Sequence, residues 1–319
     1  MCARRRWRRW SPSSGRCIPR ASLPPVTSVP LPSTSLGGGP ALDAGAALSA
    51  WNPEPVLVLA LAVTATVYVR GWLRLRARDA ERLPPWRLAA FLGGLATLFV
   101  ALASPLDTFA DRLLAVHMAQ HIVLLVVTPP LLLLGAPIGP LLQAVTSKRV
   151  RRAVGTTLVR LVDRLGHPVV GFVTMSGAVW GWHVPAAFEL ALRSEAWHVT
   201  EHASFLGAGL LFWWPIVQPW PSRARWPRWA MIPYLLLSDV QNTALAAILT
   251  FSDRVLYPTY ARGPGALDDQ ILAGVLMWVM GLAYLVPAGI IAMRLLAPRS
   301  RRPDVPGSFA VHGSGVATP

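Results

Sequence analysis

Cysteine and lysine are almost missing from this 319-residue sequence, and each shortage closes off a class of chemistry. The two cysteines, Cys2 and Cys17, lie in the N-terminal tail outside any close-spaced pair, so neither a disulfide framework nor a thiolate metal motif is indicated. The single lysine, Lys148, falls between apolar blocks. That excludes a retinal receptor, whose Schiff-base lysine must lie inside a membrane span. Charge is scarce too: 14% of residues are Asp, Glu, Lys or Arg, and the mean hydropathy is +0.45. The apolar residues come in blocks of about 20 that are apolar on every side, as lipid-facing helices require and soluble helices do not. The net charge of +15 would suit a nucleic-acid partner in a soluble protein. Here the arginines sit in loops and tails flanking the blocks, so the implied partner is the lipid bilayer and a nucleic-acid role is excluded.

Residues 1–50 carry seven arginines in the first twenty positions and a Pro, Ser and Gly-rich run that cannot bury a core, so they are expected to be disordered. They lack the apolar middle of a signal peptide, and a misassigned start codon would also account for them. Seven apolar blocks follow within a transmembrane domain at 51–298: 54–73, 86–104, 113–135, 168–185, 198–217, 229–251 and 270–296. The expected fold is an all-α integral membrane protein, a bundle of seven transmembrane helices, with a disordered cytoplasmic tail at 299–319. Pro129-Pro130 predicts a kink in the third span.

Positive charge sets the orientation. Arg74, Arg76, Arg78 and Arg82 follow span one; Lys148, Arg149, Arg151, Arg152, Arg160 and Arg164 follow span three; Arg223, Arg225 and Arg228 follow span five. These loops are assigned to the cytoplasm and the poorer alternate loops to the outside, giving an N-terminus out and a C-terminus in. Trp51, Trp72, Trp86, Trp180, Trp197, Trp226 and Trp229 near span ends read as interfacial anchors.

Five histidines then fall at one level. His117 and His121 lie roughly 6 to 12 Å into span three from its outer end, His183 within about a turn of the same surface, and His198 and His202 within about 6 Å of it. His117/His121 and His198/His202 are i, i+4 pairs, whose side chains share a helix face close enough to share a metal. Met118 adds a soft thioether, and imidazole with thioether suits copper, while imidazole alone would also serve zinc or iron. The plain alternative is a polar network locking helices, worth about 0.6 to 2 kcal/mol per residue, but two i, i+4 pairs exceed that need. His167 and His312, each alone, read as hydrogen-bonded interfacial or tail residues. Glu201 is placed to fix an imidazole tautomer, and Asp269 starts span seven at a comparable depth. Asp239, mid-span with Gln241 and Asn242, is either an interhelical clamp or part of an ion path.

The segments HMAQHIVLLVVTPPLLLLGAP (117–137), WGWHVPAAFELAL (180–192), HVTEHASFLGAGLLFWWPI (198–216), LYPTYA (256–261) and DDQILAGVLMW (268–278) together resemble the CtaG-type membrane proteins required for assembly of bacterial cytochrome c oxidase. The resemblance covers 54–296 and implies a multi-pass protein of the bacterial plasma membrane, not an enzyme, that handles copper on the outer side for oxidase subunits. By position the histidine pairs, His183, Glu201, Asp269 and Gln270 match that family's polar motifs. Soluble copper chaperones of oxidase assembly use paired cysteines; with none in the spans, delivery here would have to use imidazole and thioether.

Two other functions compete. His198, Glu201 and His202 fit the H-x-x-E-H pattern of zinc hydrolases, in which the glutamate is a general base. Two histidines on facing helices would also suit a bis-histidine haem.

Overall fold

A computed structural model describes residues 49–222 and 226–297, and among these every regular element is helical. The tails assigned to disorder lie, apart from residues 49 and 50, outside the described residues, as do Arg223 and Arg225. In chain order the helices are α1 (Pro55–Arg76), α2 (Pro85–Ala103), α3 (Pro105–Ala110), α4 (Leu114–Ile122), α5 (Thr128–Leu134), α6 (Ile138–Leu142), α7 (Lys148–Leu165), α8 (Pro168–His183), α9 (Pro185–Arg193), α10 (Glu195–Val217), α11 (Met231–Thr250), α12 (Ala266–Met280) and α13 (Leu282–Leu296). Proline opens α1, α2, α3, α8 and α9, at the position where a helix has no use for the missing N–H.

Among the described residues, five helical stretches are long and apolar enough to cross a membrane: Pro55–Arg76, Pro85–Ala103, Leu114–Leu134, Arg228–Thr250 and Ala266–Leu296. The other two apolar blocks form α8 and α10, packed against each other. Helix α8 has only 16 residues, and α10 carries Glu195, His198, Glu201 and His202 in its first two turns. One helix lies where sequence suggested only a basic loop. In α7 the arginines alternate with Val150, Val154, Leu161 and Leu165, all exposed, so the segment is amphipathic and falls outside a search for all-round apolarity.

Where Pro129-Pro130 predicts a kink, the span carries a helical irregularity just before the prolines. Residues Val123–Val127 make a π-helical turn between α4 and α5, with the Thr128 N–H bonded back to the Val123 carbonyl. In a regular α-helix the Leu125 carbonyl would accept from residue 129, but Pro129 has no N–H to give. Trp213 on α10 supplies the missing donor, its Nε1–H lying 3.1 Å from the Leu125 oxygen. Close approach is possible because Gly209 faces the kink: a Cβ there would stand 2.7 Å from Pro129 and 2.8 Å from the Leu125 oxygen.

The main core runs through α4, α5, α8, α10, α11 and α12, with Met118, Leu125, Phe205, Phe212, Leu235, Leu245 and Met277 buried. Helices α1 and α2 and the turn between them hold a smaller cluster of Tyr68, Trp72, Leu83, Phe91 and Leu95. There Tyr68 stacks on Phe91 and donates its hydroxyl hydrogen bond to the Gly135 carbonyl at 2.7 Å. Trp72 is therefore not an interfacial anchor: it is 5% exposed within this cluster, with the Arg76 guanidinium 5.0 Å from its ring. The other six anchor tryptophans are exposed, as interfacial residues should be.

Candidate metal centre

Helix α4 presents His117 and His121 to the first turns of α10, which present His198, Glu201 and His202 in return. His117, His121 and Glu201 are buried, Glu201 and His117 completely. The ring centroids of His117 and His121 are 4.2 Å apart, as are those of His198 and His202; across the interface His117 faces His198 at 5.7 Å and His121 faces His202 at 5.5 Å. The Glu201 carboxylate lies among them, one oxygen 3.9 Å from His117 Nε2 and the other 3.8 Å from His121 Nε2. Those distances are too long for hydrogen bonds. Two ligand atoms bound to one ion at about 2.1 Å stand about 3.4 Å apart in a tetrahedron, so a small relaxation would let an ion bridge them. His117, His198 and Glu201 form the tightest set, with ligand atoms within 4.8 Å of one another.

Hydrogen bonding fixes two tautomers. Tyr260 donates its hydroxyl proton to the Ala110 carbonyl at 2.6 Å, so the His117 Nδ1, 3.1 Å from the same oxygen, must be the donor in that contact. A neutral His117 then carries a bare lone pair on Nε2, the atom facing Glu201. His183 behaves likewise: its Nδ1 lies 2.7 Å from the Val179 carbonyl, which can only accept, leaving Nε2 unprotonated. Orienting an imidazole through its other nitrogen is how ligating histidines are commonly held. Among the described residues, Nε2 of all five histidines and both Glu201 oxygens are buried without a hydrogen-bond partner. That is costly for so many polar groups in one place, and a shared cation would satisfy them together.

The other expected residues fall elsewhere. Asp269 does not reach the histidines: its carboxylate accepts from the backbone N–H of Leu114 at 2.6 Å and of Ala115 at 3.2 Å, capping α4 from across the bundle. Gly265, at φ +101°, turns the chain into α12 so that this cap is in place. Gln270 ties down the preceding loop, accepting from the Leu256 N–H and donating to the carbonyls of Leu249 and Arg254. Asp239 is remote, lying against Gly281 and lining a groove with Trp278 and Leu282. Glu201, expected to orient an imidazole, sits instead at the centre of the cluster as a ligand candidate. His167 accepts from the Val169 N–H and caps α8.

A polar shell bonded largely to backbone groups surrounds the cluster. Gln120 donates to the Ala101 carbonyl and to Asp107. Burial pushes the Asp107 carboxyl above its usual range, although the Gln120 amide partly offsets this. Glu189 accepts from the backbone N–H and hydroxyl of Thr259 and from Arg193. Burial would raise the Glu189 carboxyl, but these donors outweigh it and hold the group below the usual range. Tyr257 donates to the His183 carbonyl. Tyr260 and Tyr257 escaped the sequence argument, though both lie in the LYPTYA segment.

A family model described as cytochrome c oxidase caa3 assembly factor matches residues 66–297. The chain is 26% identical over 265 residues to an uncharacterised protein of Mycobacterium leprae, covering 79% of this chain and 40% of that one. It is 27% identical over 247 residues to an uncharacterised protein of Mycobacterium bovis, covering 72% and 37%. It thus spans about two fifths of the length of these relatives. No solved structure matches the chain.

Proposed function

Because the chain belongs to the cytochrome c oxidase caa3 assembly factor family, we propose that it serves oxidase assembly by holding copper as cargo at His117, His198 and Glu201, with His121 and His202 beside them, and passing it to an oxidase subunit. The observation that carries this reading is the group of buried imidazole nitrogens and carboxylate oxygens that meet across α4 and α10 with no hydrogen-bond partner among the described residues. Imidazole and carboxylate at these separations suit a small cation, and the two fixed tautomers offer Nε2 lone pairs to it. The role is nonenzymatic. A hydrolase needs an open ligand position and a base that substrate water can reach, whereas Glu201 is fully buried between two histidine pairs. A haem needs a flat slot for the porphyrin, and His117 is packed against Phe188 at 5.1 Å as well as against its fellow imidazoles.

The proposed setting is a bacterial plasma membrane crossed seven times, α8 and α10 included, with the N-terminus outside. The basic runs after α1 and at α7 then face the cytoplasm, and the metal centre lies in the outer half. Cysteines introduced at Gly263 and at Thr146 would be labelled from opposite sides of the membrane; labelling from the same side would overturn this topology.

Metal analysis of the detergent-purified protein tests the central claim. Copper should copurify or be taken up on reconstitution, and His117→Ala and His198→Ala should each lose the equivalent held at this centre while the protein remains folded. Equal copper content in wild type and both variants would defeat the proposal.

A further inference from the structure

Beside the histidine cluster lies a half-open cavity of about 20 Å³, lined by Met118, His121, His183, Met277 and Met280 together with apolar side chains such as Phe205. Its size is that of a single water or small ion. Met118, Met277 and Phe205 are buried, and Met277 and Met280 are i, i+3 neighbours on one face of α12. Methionine is an ordinary filler of irregular cores. Three methionines and two histidines lining one ion-sized space is a different arrangement, because His183 Nε2 and both His121 nitrogens are buried without hydrogen-bond partners among the described residues. The Val179 carbonyl holds the proton on His183 Nδ1, so the partnerless Nε2 is a lone-pair donor.

We propose that this cavity is a second ion site, selective for copper(I), with Met118, Met277, Met280 and His183 as its donors and His121 shared with the centre above. Donor chemistry separates the two places. Thioether and neutral imidazole are soft, uncharged ligands that favour copper(I), whereas the upper centre contains the Glu201 carboxylate and accommodates a divalent ion. Desolvation acts in the same direction. The Born cost grows with the square of the charge, so a cavity without a carboxylate admits a monovalent ion at about a quarter of the cost of a divalent one. His121 links the sites: its Nε2 stands 3.8 Å from Glu201 while its ring lines the cavity. Copper(I), which the imidazoles of the upper centre also ligate, would move between them by exchanging ligands at His121, with no change of oxidation state. The inference deepens the cargo reading and rests on it for that passage, but the soft site can be measured on its own.

The test uses the full chain purified in detergent under anaerobic conditions, with silver(I) as a redox-inert probe for the cavity and zinc(II) as a probe for the upper centre. The double variant Met277→Leu/Met280→Leu nearly conserves volume, and its thermal unfolding serves as the check on folding. Wild type loaded with copper(I) should show sulfur scatterers in X-ray absorption. The double variant should lose them and one equivalent of silver, while its zinc affinity stays within about twofold. Glu201→Gln should do the reverse, losing zinc and keeping silver. Unchanged silver stoichiometry in the methionine variant, or no sulfur around copper(I) in wild type, would overturn the soft site whatever happens to zinc. Silver binding with sulfur ligation but no zinc or copper uptake at the upper histidines would instead overturn the main centre and leave this one standing.

Discussion

At one end of the bundle, two sets of polar residues lie within a few ångströms of each other and are treated in opposite ways. In the outer set, Asp269, Gln270, Glu189, Gln120 and Tyr260 each bond to at least one backbone group, although Gln120 Oε1 has no partner among the described residues. In the inner set, the histidines and Glu201 face one another across gaps too wide for hydrogen bonds. His117, His121 and Glu201 of the inner set are buried, and so are Gln120, Glu189, Gln270 and Tyr260 of the outer one, so burial alone does not make a residue a ligand. The outer set is scaffold, fixing α4, α9, α12 and the loop between α11 and α12. The inner set keeps its imidazole Nε2 atoms and the Glu201 oxygens without a hydrogen-bond partner among the described residues, and the proposed ion is what would use them.

Three substitutions should sharpen that contrast, and they differ in size. Tyr260→Phe touches the boundary, since it frees His117 Nδ1 and with it the tautomer; metal affinity should fall about 10 to 100-fold in a competition titration, with stoichiometry retained. Asp269→Ala attacks only scaffold. Removing the carboxylate that caps α4 should destabilise the protein by about 0.5 to 2 kcal/mol in denaturant unfolding, while metal content per folded molecule stays constant. Glu189 gives the smallest effect and a pH signature. Its folded-state pKa lies below the unfolded value, so its bonds stabilise the fold fully above the unfolded pKa and are lost as the pH falls through the folded one. The melting temperature of wild type should therefore drop as the pH is taken below about 4, and Glu189→Gln should flatten part of that drop. A variant with an undiminished drop would remove Glu189 from the scaffold.

Much of this was legible in the sequence, for physical reasons that also mark where legibility stops. Lipid demands apolarity on every side, so all seven apolar blocks emerge as helices close to their expected limits. Depth arithmetic placed the histidines at a common level because helical rise is constant, and four of the five rings pair as the spacing implied. Helix α7 escaped because it is amphipathic, and Trp72 because a tryptophan near a span end carries no sign of which way it turns. Asp269 was recognised as important but not as a cap, since its partners at Leu114 and Ala115 are remote in sequence. The same distance hid Tyr260, Met277 and Met280, whose significance depends on which helices become neighbours.

The π turn at Val123–Val127 works as a phase adjuster. One residue beyond the α-helical count rotates everything before it by about 100° relative to everything after it. Helix α10 grips this span twice, at Gly209 and Trp213 on the proline side and through the face bearing His198 and Glu201 on the other, about 12 Å apart at Glu201 and Gly209. An uninterrupted α-helix could align with only one of these grips. Deleting any one residue of the five would leave the prolines in register and swing the α4 imidazoles out of it, so the geometry of the histidines is set by a backbone irregularity that contains none of them.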